Sequence, residues 1–349
     1  MLCAIQVLLE KLNGMKEECQ DAYIIFIDYS KAFDNVDHNE LLRTLVKMGF
    51  PIHLIALIQS LYTDQSATIR WNGSHTEPFK IAKGVRQGCI LSPHLFNVYT
   101  EQVMRDANVY EKGVNVGGRS ISNLRYADDT ALCAESHKEA TALIADLNKE
   151  GEKKCLKLNV KKTKVMYVGS TKYKPIKIGQ EEVERVQQFK YLGSIKNDDA
   201  YCSTDVRARI SMAKQRMVEL NNIWKAQSIN TQLKIKLMKC LVWTVMTYGA
   251  EGWTLKKEDK DRIESAEMWF YRRLLRIHWK EKRTNESILQ QLQVNKELLG
   301  LVIKRKLSFF GHICRNKRNT LTKHMIQGRL KEKRKQGRPR TSYFQNIRT

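Results

Sequence analysis

The chain is short of what marks a secreted, membrane-spanning or zinc-stapled protein. Its 349 residues include eight cysteines, and none forms a Cys-x-x-Cys pair or a Cys/His cluster at zinc spacing. Cys314 with His312 and His324 is an incomplete ligand set. The thiols therefore read as reduced core residues of an intracellular protein. No apolar run reaches the ~18–20 residues that a membrane span needs. The longest uncharged apolar stretch, residues 241–250, is closed by Lys239 and Glu251. The opening residues have no basic segment ahead of an apolar one and soon meet Glu10 and Lys11, so they read as the start of an amphipathic helix, not as a signal peptide. No internal repeat is evident. Negative charge is scarce as well: 37 acidic residues stand against 61 basic ones, a formal net charge of +24. That excess predicts a polyanionic partner, most simply nucleic acid; a membrane surface is disfavoured because no strongly amphipathic anchor is present.

Against this basic background, grouped acids stand out. Tyr126-Ala127-Asp128-Asp129 lies between Leu124-Arg125 and Thr130-Ala131-Leu132, short flanks that read as strands, which predicts a tight hairpin with carboxylates at its tip. At ~4 Å, two like charges repel by about 1 kcal/mol in water and by several times that in a partly buried cleft. The pair calls for a cation, and a solvated Asp-Asp turn is the plain alternative. Upstream, residues 23–27 form an apolar, β-favouring run long enough for a buried strand. It ends at Asp28, followed by Tyr29-Ser30-Lys31-Ala32-Phe33-Asp34. If Asp28, Asp128 and Asp129 meet on one sheet, they suit two Mg²⁺ ions about 3.5–4 Å apart, the arrangement that serves in-line phosphoryl transfer. Between these elements, Gly84-Val85-Arg86-Gln87-Gly88-Cys89-Ile90-Leu91 is a glycine-bearing loop leading to Ser92-Pro93, a helix start with Pro at its first position. Such a loop lets backbone approach a nucleotide closely.

Taken in order, Phe26-Ile27-Asp28-Tyr29-Ser30-Lys31-Ala32-Phe33-Asp34, Arg86-Gln87-Gly88-Cys89-Ile90-Leu91-Ser92-Pro93 and Tyr126-Ala127-Asp128-Asp129 resemble the motifs of reverse transcriptases, in the form found in non-LTR (LINE-type) retrotransposons. Leu156-Lys157-Leu158-Asn159-Val160-Lys161-Lys162-Thr163-Lys164 resembles the lysine-bearing palm motif, and Phe189-Lys190-Tyr191-Leu192-Gly193-Ser194 the primer-grip turn. The resemblance covers roughly residues 1–225 and implies an RNA-directed DNA polymerase using RNA template, DNA primer and deoxynucleoside triphosphates. It implies that Asp28, Asp128 and Asp129 hold two Mg²⁺ ions. Phe33 would be the steric gate against a 2′-hydroxyl, with a core phenylalanine as the alternative. Gln87 and Gly88 would line the nascent base pair, and Tyr126 and Ala127 would lie beside the primer terminus. Lys162 would neutralise or protonate leaving pyrophosphate, and Phe189, Tyr191, Leu192 and Gly193 would form the primer grip. Asp34 and Asp37 read as helix-start caps. The family's fingers motifs ahead of the Asp28 strand and the endonuclease domain of many such elements are missing. This suggests a fragment of a longer polyprotein and keeps open a catalytically silent nucleic-acid-binding remnant. The implied location is the nucleus or a cytoplasmic ribonucleoprotein; oligomeric state is not readable.

The alternation of strands and helices suits an α+β palm with an antiparallel sheet. The expected divisions are 1–170, a palm with partial fingers; 171–250, a primer-grip hairpin and helical thumb; and 251–349, a helical basic C-terminal region. Residues 38–62 read as helical around a break at Gly49-Phe50-Pro51, with Leu41, Leu42, Leu45, Leu54, Leu57, Ile58 and Leu61 as core. Asn72-Gly73 signals a hairpin turn. Residues 176–179 and 186–192 read as a small hairpin. Val206, Ile210, Ala213, Met217, Leu220 and Trp224 form one helical face, and Leu233, Leu237, Leu241 and Val245 another. The basic run 331–340 reads as disordered, able to grip phosphates or to serve as a nuclear address.

Overall fold

The computed structural model describes residues 8–9, 21–116, 119–315, 323 and 343. The expected first helix, His324 and the basic run 331–340 lie outside the described residues. Contacts divide the described residues into two compact units, one of residues 21–187 and one of the residues from Gln188 onward together with Leu8 and Leu9.

The first unit is built on a five-stranded sheet. Its strands are β1 (Ala22–Ile27), β2 (Asn123–Tyr126), β3 (Asp129–Ala134), β4 (Lys164–Val168) and β5 (Glu184–Arg185), in the order β5-β4-β1-β3-β2. β1 is central and antiparallel to both neighbours. All six of its residues are buried, which is why it reads as a continuous apolar run rather than an alternating one. β2 and β3 form the expected hairpin. The sheet departs from a purely antiparallel one at its edge, where β5 runs parallel to β4 over two residue pairs. Four helices accompany it: α1 (His38–Lys47), α2 (Ile52–Tyr62), α3 (Ser92–Asp106) and α4 (His137–Lys153). One face of β1, presenting Tyr23, Ile25 and Ile27, shares a core with Leu41 and Leu45 of α1, Phe96, Tyr99 and Val103 of α3, and Leu143, Ile144 and Leu147 of α4. Pro93 opens α3. Asp37 caps α1, accepting from the Glu40 amide at 2.9 Å, and Ser136 caps α4.

Two expectations need correction here. Leu54 and Leu57 are 40% and 66% exposed; α2 is apolar nearly all round, and it meets the core through buried Tyr62 and the partly buried Ile55, Ile58 and Leu61. Residues 176–179 do not pair with 186–192. Lys177–Ile178 pairs with Glu181–Glu182, because a tight turn at Gly179, with φ +61°, closes that strand on its nearest neighbour. Ile176, Ile178 and Val183 belong to the first core, so residues 171–187 pack with this unit.

The second unit begins with the hairpin β6 (Gln188–Tyr191) and β7 (Ser194–Asn197). Helices follow: α5 (Ser203–Glu219), α6 (Asn221–Lys225), α7 (Thr231–Leu241), α8 (Trp243–Met246), α9 (Lys257–Leu274), α10 (Asn285–Leu292) and α11 (Leu298–Arg315). Val206, Ala213, Met217 and Trp224 are buried in its core, with Ile210 and Leu220 packed against them. On α7 the buried residues are Ile235 and Met238, followed by Val242, whereas Leu233 is 45% exposed. The expected stripe of Leu233, Leu237, Leu241 and Val245 is thus displaced by a competing one on the same helix. Phe270 and Tyr271 are fully buried core residues.

Candidate active site

Two of the candidate acids are brought level by strand register. Ile27 of β1 pairs with Thr130 of β3, so the next residue along, Asp28, comes level with Asp129. Asp129 also pairs with Tyr126 across the hairpin, leaving Ala127 and Asp128 as its two-residue tip. Ala127 has φ +54°, a left-handed conformation costing a non-glycine residue roughly 1–2 kcal/mol. Strain of this kind persists where surrounding structure over-determines the backbone. Tyr126 is 63% exposed.

Burial pushes the Asp129 carboxyl above its usual range, and the charges of Asp128 and Asp28 push it further, although the side chain still reaches solvent. The charges of Asp28 and Asp128 thus both reach the Asp129 carboxyl and disfavour its ionised form. Their donors are all oxygen, the set that suits a hard cation such as Mg²⁺, and a cation would relieve the repulsion. Among the described residues, no three carboxylates, histidines or cysteines already stand close enough to enclose a metal ion.

Lys162 is delivered by a separate turn. Beyond β1 the chain runs alongside residues 157–159: Ser30 N donates to Lys157 O at 2.9 Å and Asn159 N to Asp28 O at 2.8 Å. Thr163 N then returns to Asn159 O at 2.8 Å. This tight turn sets the Lys162 Nζ 3.9 Å from Asp28 Oδ2. Both side chains are solvated, so the pair adds little to stability but leaves an ammonium group beside Asp28.

The Gly84 loop docks on the segment after Asp28. Val85 N donates to Phe33 O and Gly84 N to Val36 O, each at 2.8 Å. Gln87 Nε2 donates to Asp34 Oδ1 at 3.4 Å. Gly84 is required here: at φ +96°, a Cβ would lie 3.1 Å from the Asp34 backbone. Gln87 and Gly88 are exposed. Phe33 is half-buried, stacked on Phe96 with ring centroids 4.7 Å apart; one face is supported by the core and part of the ring remains accessible. Asp34 accepts from Gln87 and does not cap a helix.

Sequence reasoning missed the brace behind the hairpin. Arg125 of β2 donates to Glu101 of α3 at 2.5 Å, and Tyr110 donates to the same carboxylate at 2.6 Å. Burial alone would raise the Glu101 carboxyl, but hydrogen bonds from Arg125, Tyr110 and Arg105 outweigh it and hold it below its usual range. The only hint in the sequence is an arginine directly before Tyr126.

The four residues expected to form a primer grip fall in the second unit. Phe189 is half-buried, and Tyr191 is 2% exposed and faces inward. Leu192 and Gly193 form the turn between the paired residues Tyr191 and Ser194.

Residues 3–195 match the family model described as reverse transcriptase (RNA-dependent DNA polymerase). An uncharacterized transposon-derived protein of Caenorhabditis elegans is 26% identical over 62% of this chain and 80% of its own length. A retrovirus-related Pol polyprotein from a type-1 retrotransposable element R2 of Nasonia vitripennis is 30% identical over 56% of this chain but 20% of its own. An RNA-directed DNA polymerase from mobile element jockey of Drosophila funebris is 25% identical over 70% of this chain and 27% of its own. The chain thus spans about a fifth to a quarter of those two retrotransposon proteins. A solved telomerase structure from Candida tropicalis aligns over 92% of this chain at 11% identity, with a TM-score of 0.42, too loose a likeness to carry weight. With the matched residues covering more than half of the chain, this protein belongs to the reverse transcriptase family of RNA-dependent DNA polymerases.

Proposed function

We propose that the chain is an RNA-directed DNA polymerase of the non-LTR retrotransposon type, extending a DNA primer on an RNA template with deoxynucleoside triphosphates. The observation that carries this reading is Asp28 level with Asp129 on adjacent strands, with Asp128 at the hairpin tip and Lys162 Nζ 3.9 Å from Asp28. Asp28, Asp128 and Asp129 would hold two Mg²⁺ ions, which supply an acidified primer 3′-hydroxyl and neutralise charge on the triphosphate. The protein's share is positioning and electrostatics, which dominate phosphoryl transfer. The sheet fixes the carboxylates. Lys162 offers a proton or a positive charge to departing pyrophosphate. Phe33, backed by Phe96, would exclude a sugar 2′-hydroxyl. Gln87 and Gly88 would line the nascent base pair, with Gln87 oriented by Asp34. Tyr126 and Ala127 would lie beside the primer terminus. In the second unit, Leu192 and Gly193 would contact the primer strand, with Phe189 and the buried Tyr191 anchoring their hairpin. No helix among the described residues is long and apolar enough to cross a membrane, and a nuclear or cytoplasmic ribonucleoprotein setting fits these substrates.

Primer extension on poly(rA)/oligo(dT) with Mg²⁺ tests the proposal. Incorporation by the wild-type chain, lost in Asp128→Ala, is the expected result. Binding of the hybrid without any incorporation would instead assign the chain as a catalytically silent remnant.

A further inference from the structure

The β6–β7 hairpin turns through two residues of positive φ, Leu192 at 48° and Gly193 at 77°. Loops of this kind favour Asn-Gly or Gly-Gly, because a Cβ is strained in the left-handed region. Leucine at the first position therefore needs support from outside the turn. Tyr248 donates its hydroxyl to the Leu192 carbonyl at 2.9 Å. Arg209 of α5 donates to the Gly193 carbonyl. The Arg209 guanidinium lies 4.4 Å from the centroid of the Tyr248 ring, so a cation–π contact ties the two donors to each other. The same ring lies against Gly193, where an added Cβ would sit 3.4 Å away. Just past the turn, buried Asp205 of α5 accepts from the Ser194 hydroxyl at 2.8 Å, the Ile195 amide at 2.9 Å and the Trp253 indole at 2.8 Å.

We infer that Arg209 and Tyr248 are positioning residues for the primer end. By pinning both carbonyls of Leu192-Gly193, they hold a strained turn in one orientation, with Asp205 fixing the strand that leaves it. The inference rests on the polymerase reading above and extends it to residues outside the resembling motifs. Holding a reacting terminus in register affects the chemical step more than binding, since a displacement of about 1 Å can cost on the order of 10²-fold in rate. A clamp that served folding alone would leave the rate per folded molecule unchanged.

The test uses the full-length chain with Tyr248→Phe, which keeps the ring and removes the hydroxyl, and Arg209→Lys, which keeps the charge and removes the planar fork. Single-nucleotide extension should show kcat lowered by at least about tenfold in each variant. The KM for the nucleotide and the anisotropy-measured affinity for the RNA/DNA hybrid should stay within about threefold. Hydrogen exchange should be faster at Leu192, Gly193 and Ile195 in the variants. Wild-type extension with unaltered kcat in both folded variants would overturn the clamp and leave the polymerase reading standing. A wild-type chain that binds the hybrid and extends no primer would reject the polymerase reading and the positioning role with it.

Discussion

Three neighbouring carboxylates are tolerated because each has its own backbone hold: Asp28 directly follows a buried strand, Asp129 begins one, and Asp128 sits on the strained turn between Ala127 and β3. Neutralising one of them keeps the shape and removes charge. Asp128→Asn should therefore lower primer extension by about 10²–10³-fold, the range for deleting one preorganised electrostatic group. Hybrid affinity in Mg²⁺-free buffer should stay unchanged; extension rates and anisotropy measure the two separately. Phe33→Ala should raise ribonucleotide incorporation in a competition assay. Phe96→Leu should do the same more weakly, because Phe96 supports the Phe33 ring from the core side. Equal selectivity in all three proteins would make Phe33 a packing residue. The strand that ends before Asp28 and the hairpin that carries Asp128 and Asp129 were readable from the apolar run and the hairpin flanks. The Arg125–Glu101 brace and the Gln87–Asp34 bond were not, because their partners lie 24 and 53 residues apart and no periodicity links them.

Glu267, a buried acid of the second unit, sets a pH response of its own. Glu267 of α9 is fully buried, accepting from the Glu297 amide at 2.8 Å and the Tyr271 hydroxyl at 3.2 Å. Burial raises its pKa despite these bonds. The folded chain thus holds this proton more tightly than the unfolded chain. The contribution to stability is full below the unfolded carboxyl range, near about 4.3, and is lost as pH rises through the raised folded value. Thermal melts from pH 4.5 to 7.5 should show the wild type losing stability relative to Glu267→Gln as pH increases. Parallel curves would show that Glu267 titrates alike in both states.

At the scale of elements, the sequence was clearest where one arrangement alone could bury the apolar residues. β1 has apolar side chains at five consecutive positions after Ala22, all buried, and neither a half-exposed strand nor a surface helix accommodates that. Helices α2 and α7 carry apolar residues on more than one stripe, so pattern alone does not choose between Leu54/Leu57 and Ile55/Ile58, or between Leu233/Leu237 and Ile235/Met238. The choice is made by the neighbours each helix meets. Urea denaturation should reflect the outcome. Leu132→Ala, at the fully buried centre of β3, should cost about 2–5 kcal/mol, whereas Leu57→Ala should stay within about 0.5 kcal/mol.

At the scale of the molecule, the net charge of +24 is the dominant long-range property. If several lysines and arginines each neutralise a phosphate, log affinity for RNA or a hybrid should fall against log salt with a slope of about −0.7 to −0.9 per contact. Anisotropy titrations from low to high salt measure it, and a flat dependence would mean that the charge is only a solvated surface. Removing residues 331–340 should reduce the slope without abolishing binding.

The central position of β1 also has a temporal consequence. Its hydrogen-bonding partners are not its sequence neighbours: Ile27 pairs with Thr130, and Ala22 with Val168. During synthesis, the strand that ends in Asp28 emerges long before either partner exists. Such non-local pairing must bear its loop-closure cost before contacts repay it, which slows folding. It also leaves a β-prone apolar segment open to aggregation in the interval. The ribosome must deliver residue 134 before β1 can pair with β3 and bring Asp28 level with Asp129, and residue 185 before the five-stranded sheet is complete.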